Sequence, residues 1–372
     1  MAGIYLHIPF CKQACSYCNF HFSTVLKLKN PMLAAMEKEL IQRAQELDHQ
    51  QIETVYFGGG TPSLLSVVEL NKIIDIIKNN YNLAADLEIT LEANPDDLSE
   101  NYLHDLKQNT IINRLSIGLQ SLVAADLAFM KRAHNAQEAK NAVEWALNLG
   151  FNLSVDLIYG SPHLSDEEWR SNLDFVFEAK IPHLSCYALE LQEKTALYSD
   201  IKNKKTAPLD EEKAARQFEI LLVEMSKNGY EQYEIASFCR SAAYARHNRA
   251  YWQSKNYIGI GASAHSFDGQ KRRWNVANNS LYINNLANEI VYYEEEILSK
   301  TDIFNEYLLT SLRTSWGADL QKLANFEQAD TIFYNKIQKW QNQNFLAKNE
   351  TAIVLTNRGK LLADQIISDL FV

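Results

Sequence analysis

Short apolar, β-branched runs alternate with longer stretches of helical period through the first half of the chain. The runs fall at residues 4–8, 54–57, 88–92, 114–119, 153–159 and 183–189. Between them, residues 32–47, 67–78, 135–149 and 166–179 repeat their apolar positions every three or four residues, the period of an amphipathic helix. Alternation of this kind predicts parallel strands with helices packed outside them. Parallel strands are buried on both faces, which accounts for the near-continuous apolar character of the runs. The expected fold class is α/β: an open, partial parallel (β/α)6 barrel whose working residues gather at the C-terminal ends of the strands.

The second half is less regular. Residues 202–208 read as a polar loop, 209–228 as a helix, and 231–238 and 257–267 as strands, while 270–300 fit no single pattern. From about residue 302 the pattern changes to helices, a hairpin at 345–355 and a last helix at 357–370. That order suggests a small winged-helix-like module. The expected division is residues 1–270 as the barrel with its extension, 271–300 as a connecting segment and 301–372 as the C-terminal module.

Each expected strand end carries glycine or polar residues. The first leads into a cysteine loop, the second into Gly58-Gly59-Gly60-Thr61-Pro62, and the third into Glu92-Ala93-Asn94-Pro95. The fourth ends in Gly118-Leu119-Gln120-Ser121, and the fifth carries Asp156 and reaches Tyr159-Gly160. In the expected barrel these sets converge on one mouth.

Composition narrows the setting. Hydrophobic residues make up 47% of the 372, ample for a sizeable core. The balance of 36 basic to 46 acidic residues, a formal charge of −10, argues against a broad nucleic-acid surface. No apolar run approaches the roughly 18 residues of a membrane span, and no signal peptide precedes the first strand. Five cysteines, an odd and sparse number, do not suggest a disulfide framework. The expected location is the cytoplasm.

Three of the five cysteines lie within eight residues: Cys11, Cys15 and Cys18, spaced C-x3-C-x2-C. Three thiolates can hold a 4Fe–4S cube and leave one iron open to a small molecule. A structural zinc site is the alternative, with His7 or His21 completing four ligands. Three buried, inert thiols are another. Cys186 and Cys239 read as core residues.

Gly58–Gly60 can take backbone angles closed to other residues and admit a ligand close to the main chain, or simply form a tight turn. Glu92, Gln120, Arg132 and Asp156 offer hydrogen bonds to an amino group, a ribose or a carboxylate; singly, each is also an ordinary structural polar residue. Tyr5 and Tyr17 can flank a cluster and stack on a ligand, or pack against the barrel. A second constellation is Arg246-His247-Asn248-Arg249-Ala250-Tyr251-Trp252, followed by Gly259-Ile260-Gly261 and His265. A histidine among aromatic residues can ligate haem iron; it can equally be a hydrogen-bonded core residue.

With C-x3-C-x2-C and the Gly58–Pro62 turn, the chain resembles the radical S-adenosylmethionine superfamily. More closely it is similar to the oxygen-independent coproporphyrinogen III dehydrogenase group, through residues 5–11, 58–63, 90–95, 114–121, 155–162 and 259–266. Three features resemble the HemW-type haem chaperones within that group. Phe20 stands where the dehydrogenase has a further cysteine. Only ten residues precede Cys11. His247-Asn248-x-x-Tyr251-Trp252 matches the H-N-x-x-Y-W motif of the chaperones. Asn19 replaces an aspartate often seen after the third cysteine.

The resemblance implies that Cys11, Cys15 and Cys18 hold a 4Fe–4S cluster whose open iron takes S-adenosylmethionine. It implies that Tyr5, Tyr17, Gly59 and Glu92 line that molecule. Gly60, Thr61, Gln120, Arg132 and Asp156 match positions that hold a second one in the dehydrogenase. His247 is the candidate haem ligand; His265 stands where the dehydrogenase has an apolar residue. The implied function is a haem chaperone that delivers haem to respiratory acceptor proteins, reaching the inner membrane through partners. Radical decarboxylation of coproporphyrinogen III to protoporphyrinogen IX is the enzymatic alternative.

Overall fold

The structure is a computed structural model that describes residues 2–47 and 49–372. The six expected runs are strands β1 (Ala2–Ile8), β2 (Ile52–Gly59), β3 (Leu83–Ala93), β4 (Arg114–Gln120), β5 (Asn152–Tyr159) and β6 (His183–Ala188). They pair in sequence order, all parallel. Their inward and outward faces are both covered, as parallel pairing requires: the neighbours Leu6 and His7 of β1 are both buried, and so are Leu115 and Ser116 of β4.

The helices between them start where the sequence supplies caps. Ser66 with Glu69, Asn135 with Glu138, and Ser165 with Glu168 form reciprocal capping boxes at the heads of Val67–Asn80, Ala136–Asn148 and Asp166–Glu178. The helix Glu100–Asn109, which the reading of the sequence passed over, is capped by Ser99. The helix expected over 32–47 spans Lys29–Gln42.

Beyond β6 the same sheet continues. The run expected as one strand over 231–238 is two short antiparallel strands, β7 (Glu231–Gln232) and β8 (Ser237–Cys239). The run over 257–267 is likewise two, β9 (Asn256–Ile260) and β10 (His265–Phe267). The turn between them holds Gly261 at φ +106° and Ser263 at φ +66°. Strand β9 lies parallel to β1 on the side away from β2. Residues 271–300 add β11 (Lys271–Asn275) and β12 (Tyr293–Ile297) to the same sheet, with the helix Asn279–Ala287 between them. The final order is β12-β11-β10-β9-β1-β2-β3-β4-β5-β6-β8-β7, open at both edges. This is the expected α/β partial barrel, extended by antiparallel strands.

The last seventy residues pack Lys300–Ser311, Thr331–Asn342 and Ala363–Leu370 around a three-stranded antiparallel sheet. Phe304, Leu308, Phe333, Ile353 and Ile366 form a separate apolar cluster there. No helix among the described residues is long and apolar enough to cross a membrane.

Candidate functional site

Parallel register sets the ends of β1 to β5 side by side. Ile8 pairs with Gly59, Glu92 with Ser116, and Gly118 with Asp156. The cysteine loop leaves β1 at this rim and is tied down by its backbone: Cys11 N–H donates to the Ser23 carbonyl at 3.1 Å, and Ser16 N–H to that of Met130 at 3.1 Å. All three thiols are free and partly exposed.

Two donors reach the sulfurs. Thr61 Oγ1 donates to Cys11 Sγ at 3.3 Å, and Arg132 Nη1 to Cys15 Sγ at 3.3 Å. The same guanidinium donates from Nη2 to Asn94 Oδ1 at 2.6 Å and to the Gly118 carbonyl at 2.8 Å. Asn94 closes the circuit by donating to Thr61 Oγ1 at 3.1 Å. Asn94 is thus the hinge between the two sulfur donors, a role that spacing did not reveal. Burial pushes the Cys11 thiol up to about 11, partly offset by the Thr61 bond. Burial raises Cys18 as well. Donors aimed at the Cys11 and Cys15 sulfurs suit thiolate ligands of an iron centre.

The glycines have structural duties. Gly59 has φ +106°, and a Cβ there would fall 2.7 Å from the His7 ring; at Gly60 it would fall 2.6 Å from the Phe10 carbonyl oxygen. Their N–H groups are engaged, Gly59 with Glu92 Oε2 at 3.1 Å and Gly60 with the Ile8 carbonyl at 2.9 Å. Glu92 also accepts from the Tyr56 hydroxyl at 2.7 Å. Burial raises its pKa to about 7, and burial raises Asp156 to about 6. Gln120 sits at φ +66°, and its buried Oε1 has no partner among the described residues; neither has Arg132 Nε. Tyr17 packs beside Met130 and Leu197 next to Arg132, and burial raises its phenol. Tyr5 bonds through its hydroxyl to His7 Nδ1 at 3.1 Å and stacks on Tyr56.

His247 lies inside the barrel. Glu88 accepts its backbone N–H at 3.1 Å at the head of the helix Arg246–Trp252. Its Nδ1 meets Thr54 Oγ1 at 2.7 Å and its Nε2 the Tyr251 hydroxyl at 2.8 Å. The ring stacks on Tyr56 at 5.0 Å, and burial lowers its pKa to about 3. Gly3 makes the fit possible: a Cβ there would stand 3.2 Å from His247 Cε1. In this arrangement neither nitrogen of His247 is free to take iron.

A cavity of about 580 Å³ opens beside the cysteine loop. Asn19, Phe20 and His21 line one side and Tyr251 and Trp252 another; Tyr5 and His7 of β1, His265 and Phe267 of β10, and the helix Lys300–Ser311 also contribute. Its size falls within the range of small-molecule sites, roughly 300–1,000 Å³. Spacing along the chain does not reveal it, because half of its lining comes from residue 257 onward.

Comparison with known proteins decides the family. The radical SAM superfamily matches residues 5–176. The heme chaperone HemW of Mycobacterium tuberculosis is 32% identical over 99% of this chain and 94% of that protein. HemW of Bacillus subtilis is 31% identical over 98% of each. The radical SAM enzyme coproporphyrinogen III oxidase (HemN) of Escherichia coli superposes over 100% of this chain and 90% of its own, with a TM-score of 0.85 at 21% identity. The chain belongs to the HemW branch of the radical SAM superfamily.

Radical SAM membership implies a 4Fe–4S cluster and S-adenosylmethionine, and the donor set fits them. The two histidines weighed as a fourth zinc ligand are engaged elsewhere. His7 uses both nitrogens, on Tyr5 and on the His21 carbonyl at 2.8 Å, and His21 Nε2 is held by Asn279 Oδ1 at 2.7 Å. When bound, the cluster supplies one-electron chemistry at its open iron. The chain's own part is to aim Thr61 and Arg132 at sulfur and to hold Glu92 beside the Gly59 turn.

Proposed function

We propose that this protein is a haem chaperone that binds haem beside an S-adenosylmethionine-liganded cluster and passes it to respiratory acceptor proteins. In this reading Cys11, Cys15 and Cys18 hold the cluster. Tyr5, Tyr17, Gly59 and Glu92 line one S-adenosylmethionine. Gly60, Thr61, Gln120, Arg132 and Asp156 are the candidate partners of a second. The unpartnered Gln120 Oε1 and Arg132 Nε support a ligand at that rim. Delivery takes place from the cytoplasm, at the membrane face of the acceptor.

The observation that carries the haem reading is the 580 Å³ cavity, one side of which is Asn19–His21, the residues that follow the third cysteine. Its aromatic side chains offer flat apolar faces to a macrocycle. Phe20, 67% exposed, extends this surface to the mouth. His247 contributes by holding the Tyr251 hydroxyl in the opposite wall.

The test is an anaerobic titration of cluster-reconstituted protein with haem, alongside an assay with coproporphyrinogen III, S-adenosylmethionine and a reductant. One haem per chain and no protoporphyrinogen is the expected result. Turnover without stoichiometric haem would establish the dehydrogenase instead.

A further inference from the structure

Four imidazoles stand in or next to the cavity, and they differ in what their nitrogens do. His7 and His247 have both nitrogens in hydrogen bonds. His21 has Nε2 on Asn279. His265 lines the cavity and is exposed, and no hydrogen bond among the described residues holds either of its ring nitrogens. Within the haem-chaperone reading, on which this rests, we propose that His265 is the axial ligand of the haem iron and that His247 is not a ligand.

The backbone under His265 is fixed. Strand β10 approaches β9 so closely that a Cβ at Gly259 would fall 2.0 Å from the His265 carbonyl oxygen. Gly259 N–H donates to Ser266 Oγ at 2.9 Å, and Arg43 reaches that same hydroxyl at 3.0 Å from the core. On the other side His265 pairs with Trp274 of β11, the rings stacked at 6.3 Å. A ligand held by its neighbours in this way is pre-organised, as an axial histidine must be. Partial burial, with Arg272 nearby, lowers its pKa, in favour of the neutral imidazole that binds a metal.

The surroundings suit a planar dicarboxylate as well as an iron. Phe20, Trp252, Tyr257 and Phe267 supply apolar faces. Arg272 lies over the Phe267 ring at 5.3 Å and is ion-paired with Glu306. A haem propionate can take the place of that carboxylate on the guanidinium.

The test uses full-length, cluster-reconstituted protein titrated anaerobically with ferric haem, read by absorption and electron paramagnetic resonance. His265→Ala is expected to lose the axial-imidazole signature and to bind at least tenfold more weakly, and added imidazole is expected to restore the spectrum. His265→Met, which keeps the bulk, is expected to bind with a changed axial signature. His247→Ala is expected to keep the imidazole signature. An unchanged spectrum in His265→Ala with haem bound overturns the assignment and leaves the haem reading standing. No stoichiometric haem on the wild-type protein overturns both.

Discussion

Glu92 shows how one buried carboxyl links acidity to stability and to ligand binding. Its ordinary pKa is about 4.3, and burial raises it to about 7. The fold therefore favours the uncharged acid. That contribution is complete below the ordinary carboxylate range and is lost as pH rises through about 7. The ligand-free protein is expected to lose about 1–3 kcal/mol between pH 5 and 8 that Glu92→Gln does not lose, allowing for partial exposure of the group. Urea unfolding of both proteins across that range checks it, and parallel curves would remove Glu92 as the cause. At this scale much was legible in the sequence. The cysteines, Glu92 and Arg132 stand out because their chemistry is carried by residue type and short spacing. What was not legible is what each atom already touches. His247 carries a motif, yet its nitrogens are used by Thr54 and Tyr251, residues 193 and 4 positions away.

Elements are held together here by one buried polar junction. Glu39, fully buried, accepts from Arg43 Nη1 at 3.0 Å, Gly261 N–H at 2.9 Å and Asn275 Nδ2 at 2.9 Å. Arg43 Nη1 also donates to the Gly259 carbonyl at 2.7 Å. The helix Lys29–Gln42 is thereby joined to β9, its following turn and β11. Removing one member of a buried ion pair leaves the other charge uncompensated. Glu39→Ala is expected to destabilise by about 3–5 kcal/mol. Lys300→Ala, breaking a pair whose side chains are 77% and 80% exposed, is expected to cost less than about 1 kcal/mol. Denaturant midpoints at fixed slope measure both, and equal losses would contradict the account. The same junction explains why residues 257–267 read wrongly as one strand. Apolar alternation carries no mark of Gly261 at φ +106° or of the close approach at Gly259. The six parallel strands were legible because each is a local run bounded by turn residues. Strands β10 to β12 are short, polar and set by long-range contacts, so periodicity could not find them.

At the scale of the whole molecule, the cavity is where three parts of the chain meet: the cysteine loop, the β9–β11 extension and the helix Lys300–Ser311. The last belongs to a unit with its own apolar cluster. It reaches the barrel through polar links such as Ile235 N–H to the Arg313 carbonyl at 3.1 Å, and Arg249 over the Trp316 ring at 5.0 Å. Arg272 with Glu306 is the link that borders the cavity. A separate cavity of about 210 Å³ lies at the other end of the strands, lined by Ala2, Glu53, Arg246 and Lys255. The two ends make opposite forecasts for hydrogen exchange. Haem in the larger cavity excludes water from Asn19–His21, from β10 and from the face of Lys300–Ser311 carrying Glu306 and Thr310, and it ties the C-terminal unit to the barrel. Amides of those segments should then slow on haem binding, while residues 53–54 and 246–250 stay unchanged. Slowing confined to residues 53–54 and 246–250 would place the ligand at the opposite end and separate it from the cluster loop. Local opening governs such rates, so the comparison must be made between apo and haem-loaded protein at one pH, with the cluster intact in both.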